Sequence, residues 1–205
     1  ATKAAQFPGF QIGQMLINGH AANAGTVVPW STGKSWDASY FFVATHPWGS
    51  STYSNVATAA LSITSLKAAM VVMTSYMDES GRYPLNVRPT HLITGPSNAF
   101  LASQLCAPVT TLVSTSAIAV PNPYSGLIPM MTPSFIGSYA NYWCLAALGE
   151  PIKPLIQQNR EAVRFTALTD GDLAMDRDVY KYGADGMWGF GYGEPHYCYG
   201  SDGTT

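Results

Sequence analysis

The chain has 205 residues, 47% of them hydrophobic, which is enough for one sizeable core and too many for general disorder. Only 11% are charged, against roughly a quarter in an ordinary soluble domain, and a net charge of −2 excludes a binder that holds nucleic acid by bulk electrostatics. No apolar run approaches the ~18–20 residues of a spanning helix, and the charge-free stretch 89–149 is broken by prolines at 96, 108, 121, 123, 129 and 133, so a membrane span does not account for the deficit.

Two explanations stay open. Either other protein molecules cover most of the surface, or the chain is a secreted glycan-binding β-protein with a Ser/Thr/Tyr-rich face. Interface cores are poor in charge and rich in aromatic residues and methionine. The 12 Tyr, 5 Trp, 8 Phe and 8 Met suit the first explanation. Cys106, Cys144 and Cys198 form no CxxC pair and are read as buried reduced thiols, which suits a reducing compartment. No signal peptide is visible. The chain starts at Ala1, and a segment upstream of it is expected.

In chain order, Lys3 to about Ala22 reads as a helix with Pro8 near its start and with Phe10, Met15, Leu16 and Ile17 inward. The aromatic and β-branched stretch Ser35–Pro47 reads as a strand entering a turn. From Ser62 to about Met77, Leu66, Ala69, Met70, Met73, Tyr76 and Met77 recur at helical period, with Gly81 as the expected C-cap. His91–Pro96 reads as a short strand. Ser97 then caps a helix to about Cys106, with Phe100, Leu101 and Leu105 inward. Residues 109–148 alternate apolar and small polar residues between prolines, as short strands and loops do. Helices followed by grouped strands indicate an α+β class.

At Gly149 the character changes, and residues 149–185 carry more than half of the charged side chains, with the signs interleaved as on a pairing surface. Strands are expected at about 152–158, 162–168 and 176–183, with the Gly/aromatic tail closing as a hairpin or strand. Catalytic and metal signatures are missing. His20, His46, His91 and His196 show no H-E-x-x-H spacing, and Gly95-Pro96-Ser97-Asn98-Ala99 lacks the second glycine of a nucleophile elbow. Gly189–Gly193 opens no helix, and the carboxylates from Asp170 to Asp178 lack the order of a calcium loop. No catalytic, cofactor-binding or metal-ligating residue is assigned.

Three stretches together resemble the major head (capsid) subunits of Mu-like tailed phages and prophages. Asp37-Ala38-Ser39-Tyr40-Phe41-Phe42 followed by His46-Pro47 resembles that family's D-G-x-x-F-F…H-P, with Ala38 where the family has glycine. Gly81-Arg82-Tyr83-Pro84-Leu85 with Pro89-Thr90-His91-Leu92 resembles its G-R-P-L…P-T-x-L. Ile152-Lys153-Pro154-Leu155-Ile156-Gln157 with Arg160 resembles its K-P-x-I-x-Q…R, ahead of a similar Tyr182-Gly183. The resemblance implies an α+β chain of the Hong Kong 97-type capsid fold. Its axial domain, a central sheet with flanking helices, is expected around 50–148. Its peripheral domain, a spine helix with long strands, is expected from 1–49 and 149–205, with the N-terminal arm and extended loop lying upstream.

The implied function is structural. The chain would tile hexamers and pentamers into an icosahedral shell around double-stranded DNA contacted non-specifically, with portal and decoration or scaffolding proteins as partners and no membrane. It would be assembled in the bacterial cytoplasm and end in the virion. No cofactor is expected. Glu150, Lys153, Arg160, Glu161, Arg164, Asp176, Arg177 and Asp178 are the expected subunit-contact residues. The alternatives are an encapsulin-like nanocompartment shell and a Ser/His hydrolase, which would need a serine or aspartate near His46, His91 or His196.

Overall fold

Trp143-Cys144-Leu145-Ala146 is buried without interruption, a pattern that requires cover on both faces of a sheet. The computed structural model, which describes residues 2–110, 120–168 and 181–204, shows what supplies that cover. Its elements are α1 (Thr2–Asn18), β1 (His46–Trp48), β2 (Ser51–Tyr53), β3 (Val56–Ala57), α2 (Ile63–Thr74), β4 (His91–Thr94) and α3 (Ala99–Leu105). They continue with β5 (Val109–Thr110), β6 (Val120–Pro121), β7 (Ile128–Met131), β8 (Trp143–Ala146), β9 (Leu155–Leu168), β10 (Lys181–Tyr192) and β11 (Cys198–Ser201). The class is mixed α+β, as the sequence predicts.

The central sheet runs β3-β11-β8-β4-β7, with β3 and β7 parallel to their neighbours and the inner pairs antiparallel. Register sorts its side chains into two cores. Leu92, Leu145 and Tyr199 stand in one row and pack with Leu66, Ala69 and Met73 of α2 and with Ala102 and Leu105 of α3. Cys144, Ala146 and Cys198 face the other way, against Leu16 and Ile17 of α1 and against Phe41 and Phe42. The sheet is therefore the middle of three layers. β11 closes it from the last residues of the chain, between β3 and β8. All three cysteines are free and buried, and the hydrogen bond with Cys144 and then burial push the Cys198 thiol well above its ordinary range.

Helix α2 forms where the apolar period places it. Ser62 and Ser65 cap its start reciprocally, each hydroxyl accepting from the other's backbone N–H. It stops at Thr74, because Tyr76 and Asp78 turn away to pair with Leu85 and Tyr83. Gly81 therefore caps no helix. It sits at φ +68° in the turn that follows, and Met77 is exposed. Helix α1 buries Met15, Leu16 and Ile17 as expected but leaves Phe10 outward. Helix α3 starts at Ala99 after a 3₁₀ turn over Pro96–Asn98, without a side-chain cap from Ser97. Leu105 is buried and Phe100 is 75% exposed.

The expected strand at Ser35–Pro47 is instead a chain of turns that reaches strand conformation only at His46. Asp37 organises it, accepting from Ser35 Oγ at 2.5 Å and from Ser39 N at 3.1 Å. Ala38, at the motif position where the family carries glycine, has φ +62°. That left-handed backbone explains the glycine, since an L side chain there costs roughly 1–2 kcal/mol. The two strands expected at 152–158 and 162–168 are one strand, β9, paired antiparallel with β10 from Leu155↔Tyr192 to Leu168↔Lys181. The strand expected at 176–183 is described only from Lys181 onward, within β10. Residues 111–119 and the Asp170–Asp178 carboxylates lie outside the described residues.

Candidate assembly surfaces

The histidines are structural in their surroundings. His46 is fully buried, with Nδ1 2.7 Å from an Asp37 oxygen and Nε2 3.3 Å from the Phe41 carbonyl. Burial raises the Asp37 carboxyl, but hydrogen bonds from His46, Ser35 and Ser39 outweigh it and hold the group below its usual range. His196, from the turn before β11, lies on the other side of Tyr53. The Tyr53 ring is stacked between them, at centroid distances of 4.8 Å to His46 and 3.7 Å to His196. His196 Nδ1 is 2.5 Å from Glu194, and Trp48 and Tyr76 close the cluster at its edges. Thus Asp37 and His46-Pro47, which a motif places nine residues apart, form one pin between the segment before β1 and the end of the chain.

No activated nucleophile emerges from this arrangement. His46 turns its second nitrogen to a backbone carbonyl, and Tyr53 is pushed above its ordinary value by burial and then by Glu194 and Asp37. Thr90 lies 2.8 Å from His91 Nδ1, but its hydroxyl also accepts from Leu148 N and donates to the Ala146 carbonyl, so it ties β4 to the end of β8. Among the described residues no group of three or more His, Cys, Asp or Glu is placed to hold a metal ion, and no helix is long and apolar enough to cross a membrane.

The charged segment forms the β9–β10 ribbon. Arg164 stands opposite Asp185 in register, so the two side chains share a face, and Arg164 Nε reaches both carboxylate oxygens at 3.1 and 3.0 Å. Glu161 adds a contact at 3.5 Å. The hydrogen bond from Arg164 holds the Asp185 carboxyl below its usual range. Both partners are exposed, so the pair adds little to folding and leaves charge facing outward. Lys153 donates to the carbonyls of Leu148 and Glu150, closing the turn before β9. Arg160 and the Glu150 carboxylate have no ion-pair partner among the described residues. Asp176, Arg177 and Asp178 lie outside the described residues. Asp185 is the charged member that spacing along the sequence does not single out, because only strand register reveals it.

Apolar side chains are exposed beside these charges. On the ribbon, Phe165, Tyr182 and Met187 stand in the open, with Tyr182 76% exposed. Within the charge-free stretch, every residue of β7 is exposed, and its outer edge has no partner strand among the described residues. A groove of about 830 Å³ runs between β7 and α1, lined by Phe7, Phe10, Ile12, Ile93, Met130 and Met131. Apolar surface of this extent, without charge, is what a covered interface looks like when its partner is removed.

Residues 130–204 match the family described as the Mu-like prophage major head subunit gpT. No curated protein and no solved structure matches the chain. The matched region takes in part of β7 and β8, the whole described ribbon and β11, which are the charged face, the pin through Glu194 and His196, and the centre of the sheet. Over residues 130–204, somewhat more than a third of its length, the chain is therefore similar to the Mu-like prophage major head subunits.

Proposed function

We propose that the chain is the structural tile of a tailed-phage or prophage head. In this reading copies of it close into hexamers and pentamers of an icosahedral shell around double-stranded DNA, with the Hong Kong 97-type fold. The axial domain covers about 50–148. The peripheral domain takes 1–49 and 149–205, with β11 handed back into the axial sheet. Portal, scaffolding or decoration proteins and non-specifically held DNA are its partners, and it passes from the host cytoplasm into the virion.

The observation that carries this reading is the family match over the segment that forms the projecting ribbon. Composition and surface support it. A tile meets neighbours on several edges through heterologous contacts, so much of its rim is interface. That accounts for the scarcity of charge in residues 89–149 and for the exposed apolar side chains of β7. Each edge needs only moderate strength, because many contacts close one shell. Within this reading Glu150, Lys153, Arg160, Glu161, Arg164, Asp176, Arg177 and Asp178 set the register between neighbours.

Reversing charge at Arg160 and Arg164 together, each to glutamate, tests that assignment. Particle formation, followed by light scattering, is expected to fall well over tenfold, while urea unfolding of the isolated subunit stays within experimental spread of the parent. A matching loss of soluble, folded subunit would instead make both side chains part of the ribbon's own stability.

A further inference from the structure

The chain contains a single Asn-Gly step, Asn18-Gly19, at the end of α1. In an unfolded chain this step is the one most prone to lose a side-chain amide, because glycine has no side chain to shield its backbone nitrogen. The fold fills both positions for reasons of its own. Asn18 is fully buried, and its side chain joins three parts of the molecule. Its Oδ1 accepts from Gly25 N at 2.8 Å and from Val28 N at 3.3 Å, and its Nδ2 donates to the Ser31 carbonyl at 3.2 Å. The hydroxyl of Tyr192, the last residue of β10, lies 3.5 Å from the same Nδ2 and donates to the Met15 carbonyl at 2.8 Å. At Gly19 a Cβ would stand 3.1 Å from Phe41 Cβ and 3.3 Å from the Phe42 ring.

The same contacts keep the reactive atoms from reacting. Deamidation requires Gly19 N to lose its proton and attack Asn18 Cγ. In the folded chain that N–H donates to the Met15 carbonyl at 2.9 Å, at the end of the helix. Asn18 is itself helical, and a ψ of about −42° turns the following nitrogen away from the side-chain carbon. The product does not suit the folded site either. An ionised aspartate at position 18 would set a carboxylate oxygen against the Ser31 carbonyl, two acceptors with no hydrogen between them. Its charge would be buried at the negative end of the α1 dipole, and none of the hydrogen-bond partners of Asn18 is charged. Isoaspartate would lengthen the backbone by a methylene and displace the bonds of Gly19 to Met15 and Phe42.

We infer that Asn18-Gly19 is a deamidation site gated by folding, which turns chains left unfolded into chains that cannot rebuild the joint between α1 and β10. In the open chain Gly19 N bonds to Asn18 Cγ, and the side-chain amide nitrogen leaves as ammonia, taking the proton. Water then opens either carbonyl of the succinimide ring. One product is aspartate; the other is isoaspartate, with the main chain routed through the former side chain. The inference stands independently of the shell reading.

Incubation of the parent in mildly alkaline buffer, folded in one arm and in concentrated urea in the other, tests it by peptide mapping that resolves isoaspartate. Position 18 should convert at least about tenfold faster in urea, where the helix no longer holds the two groups. In urea, where packing plays no part, Gly19→Ala should slow the conversion severalfold. Chains converted in urea should refold in buffer with less than about a tenth of the parent yield, and Asn18→Asp should reproduce the loss. Parent held for the same time in weakly acidic urea, where the nitrogen keeps its proton, should refold normally. Equal conversion in the folded and unfolded arms overturns the gating, and refolding of the converted chain at parent yield overturns its consequence.

Discussion

Replacing Asn55 with leucine is expected to lower folding stability by about 3–5 kcal/mol, and the melting temperature by on the order of 10 °C. Asn55 is fully buried immediately before β3. Its amide nitrogen donates to the carbonyls of Phe41 at 2.7 Å, Cys198 at 3.2 Å and Pro195 at 3.3 Å, and its oxygen accepts from Val43 N at 3.0 Å. One side chain thus ties the turn-rich segment before β1 to the last strand of the chain. Leucine keeps the branching of the side chain and is somewhat larger, so the loss comes from stranded polar groups and not from a cavity. Each buried group left without a partner costs about 1–3 kcal/mol. Urea unfolding followed by tryptophan fluorescence reads the effect. A loss below about 1 kcal/mol would mean that the carbonyls find other donors, and that Asn55 is not the joint described.

Acidification should remove stability in a window set by His20. The ring is buried between Phe42 at 4.6 Å and Tyr142 at 5.1 Å, and burial lowers its pKa to about 4, against a smaller opposing pull from Asp202. The unfolded chain takes up a proton near the ordinary histidine value of about 6.5, and the folded chain refuses it until about 4. Between those limits the unfolded state binds more protons, so stability is full above pH 6.5 and falls as pH drops toward 4. At about 1.4 kcal/mol per pH unit, the loss reaches about 3 kcal/mol. Asp37 and Asp185, both held below the ordinary carboxylate range, lose their contributions at lower pH than this window. Unfolding free energies at pH 7, 5.5 and 4 should therefore slope in the parent and slope less in His20→Gln. Equal slopes in the two proteins would move the proton to another site.

What could be read from the sequence was whatever depends on near neighbours. The stripe through Leu66, Ala69 and Met73 places α2, and Met15-Leu16-Ile17 marks the buried end of α1, because helical period alone decides which side faces in. Period fails at Phe10, Met77 and Phe100, where the surface is left uncovered in the subunit. It also fails on the ribbon. A two-stranded ladder open on both sides needs no alternation, and β9 carries two register shifts against β10 between Arg164 and Asn159, so apolar spacing breaks in two what is one irregular strand. In Ser35–Thr45, aromatic content resembles a strand, yet the asparagine and aspartate hydrogen bonds of Asn55 and Asp37 hold the segment in turns.

The candidate site divides in the same way. The clustering of charge near Arg160 and Arg164 is visible in the sequence, but the partner of Arg164 depends on which residue of β10 stands opposite it. The His46–Tyr53–His196 stack joins positions nearly the length of the chain apart, and no spacing rule reaches that far. One nonlocal contact had left a trace: the D…H-P motif pairs Asp37 with His46. Its glycine position, filled here by Ala38, is the left-handed residue that lets the turn close.

Electron cryo-microscopy of the protein purified from its host, without chemical cross-linking, tests the central claim most directly. The account predicts closed particles of uniform size with icosahedral symmetry, each built from hexamers and pentamers of this chain, with the β9–β10 ribbon against a neighbouring copy and nuclease-protected DNA inside. A population of single subunits or dimers at every concentration, with the ribbon bare, would contradict it.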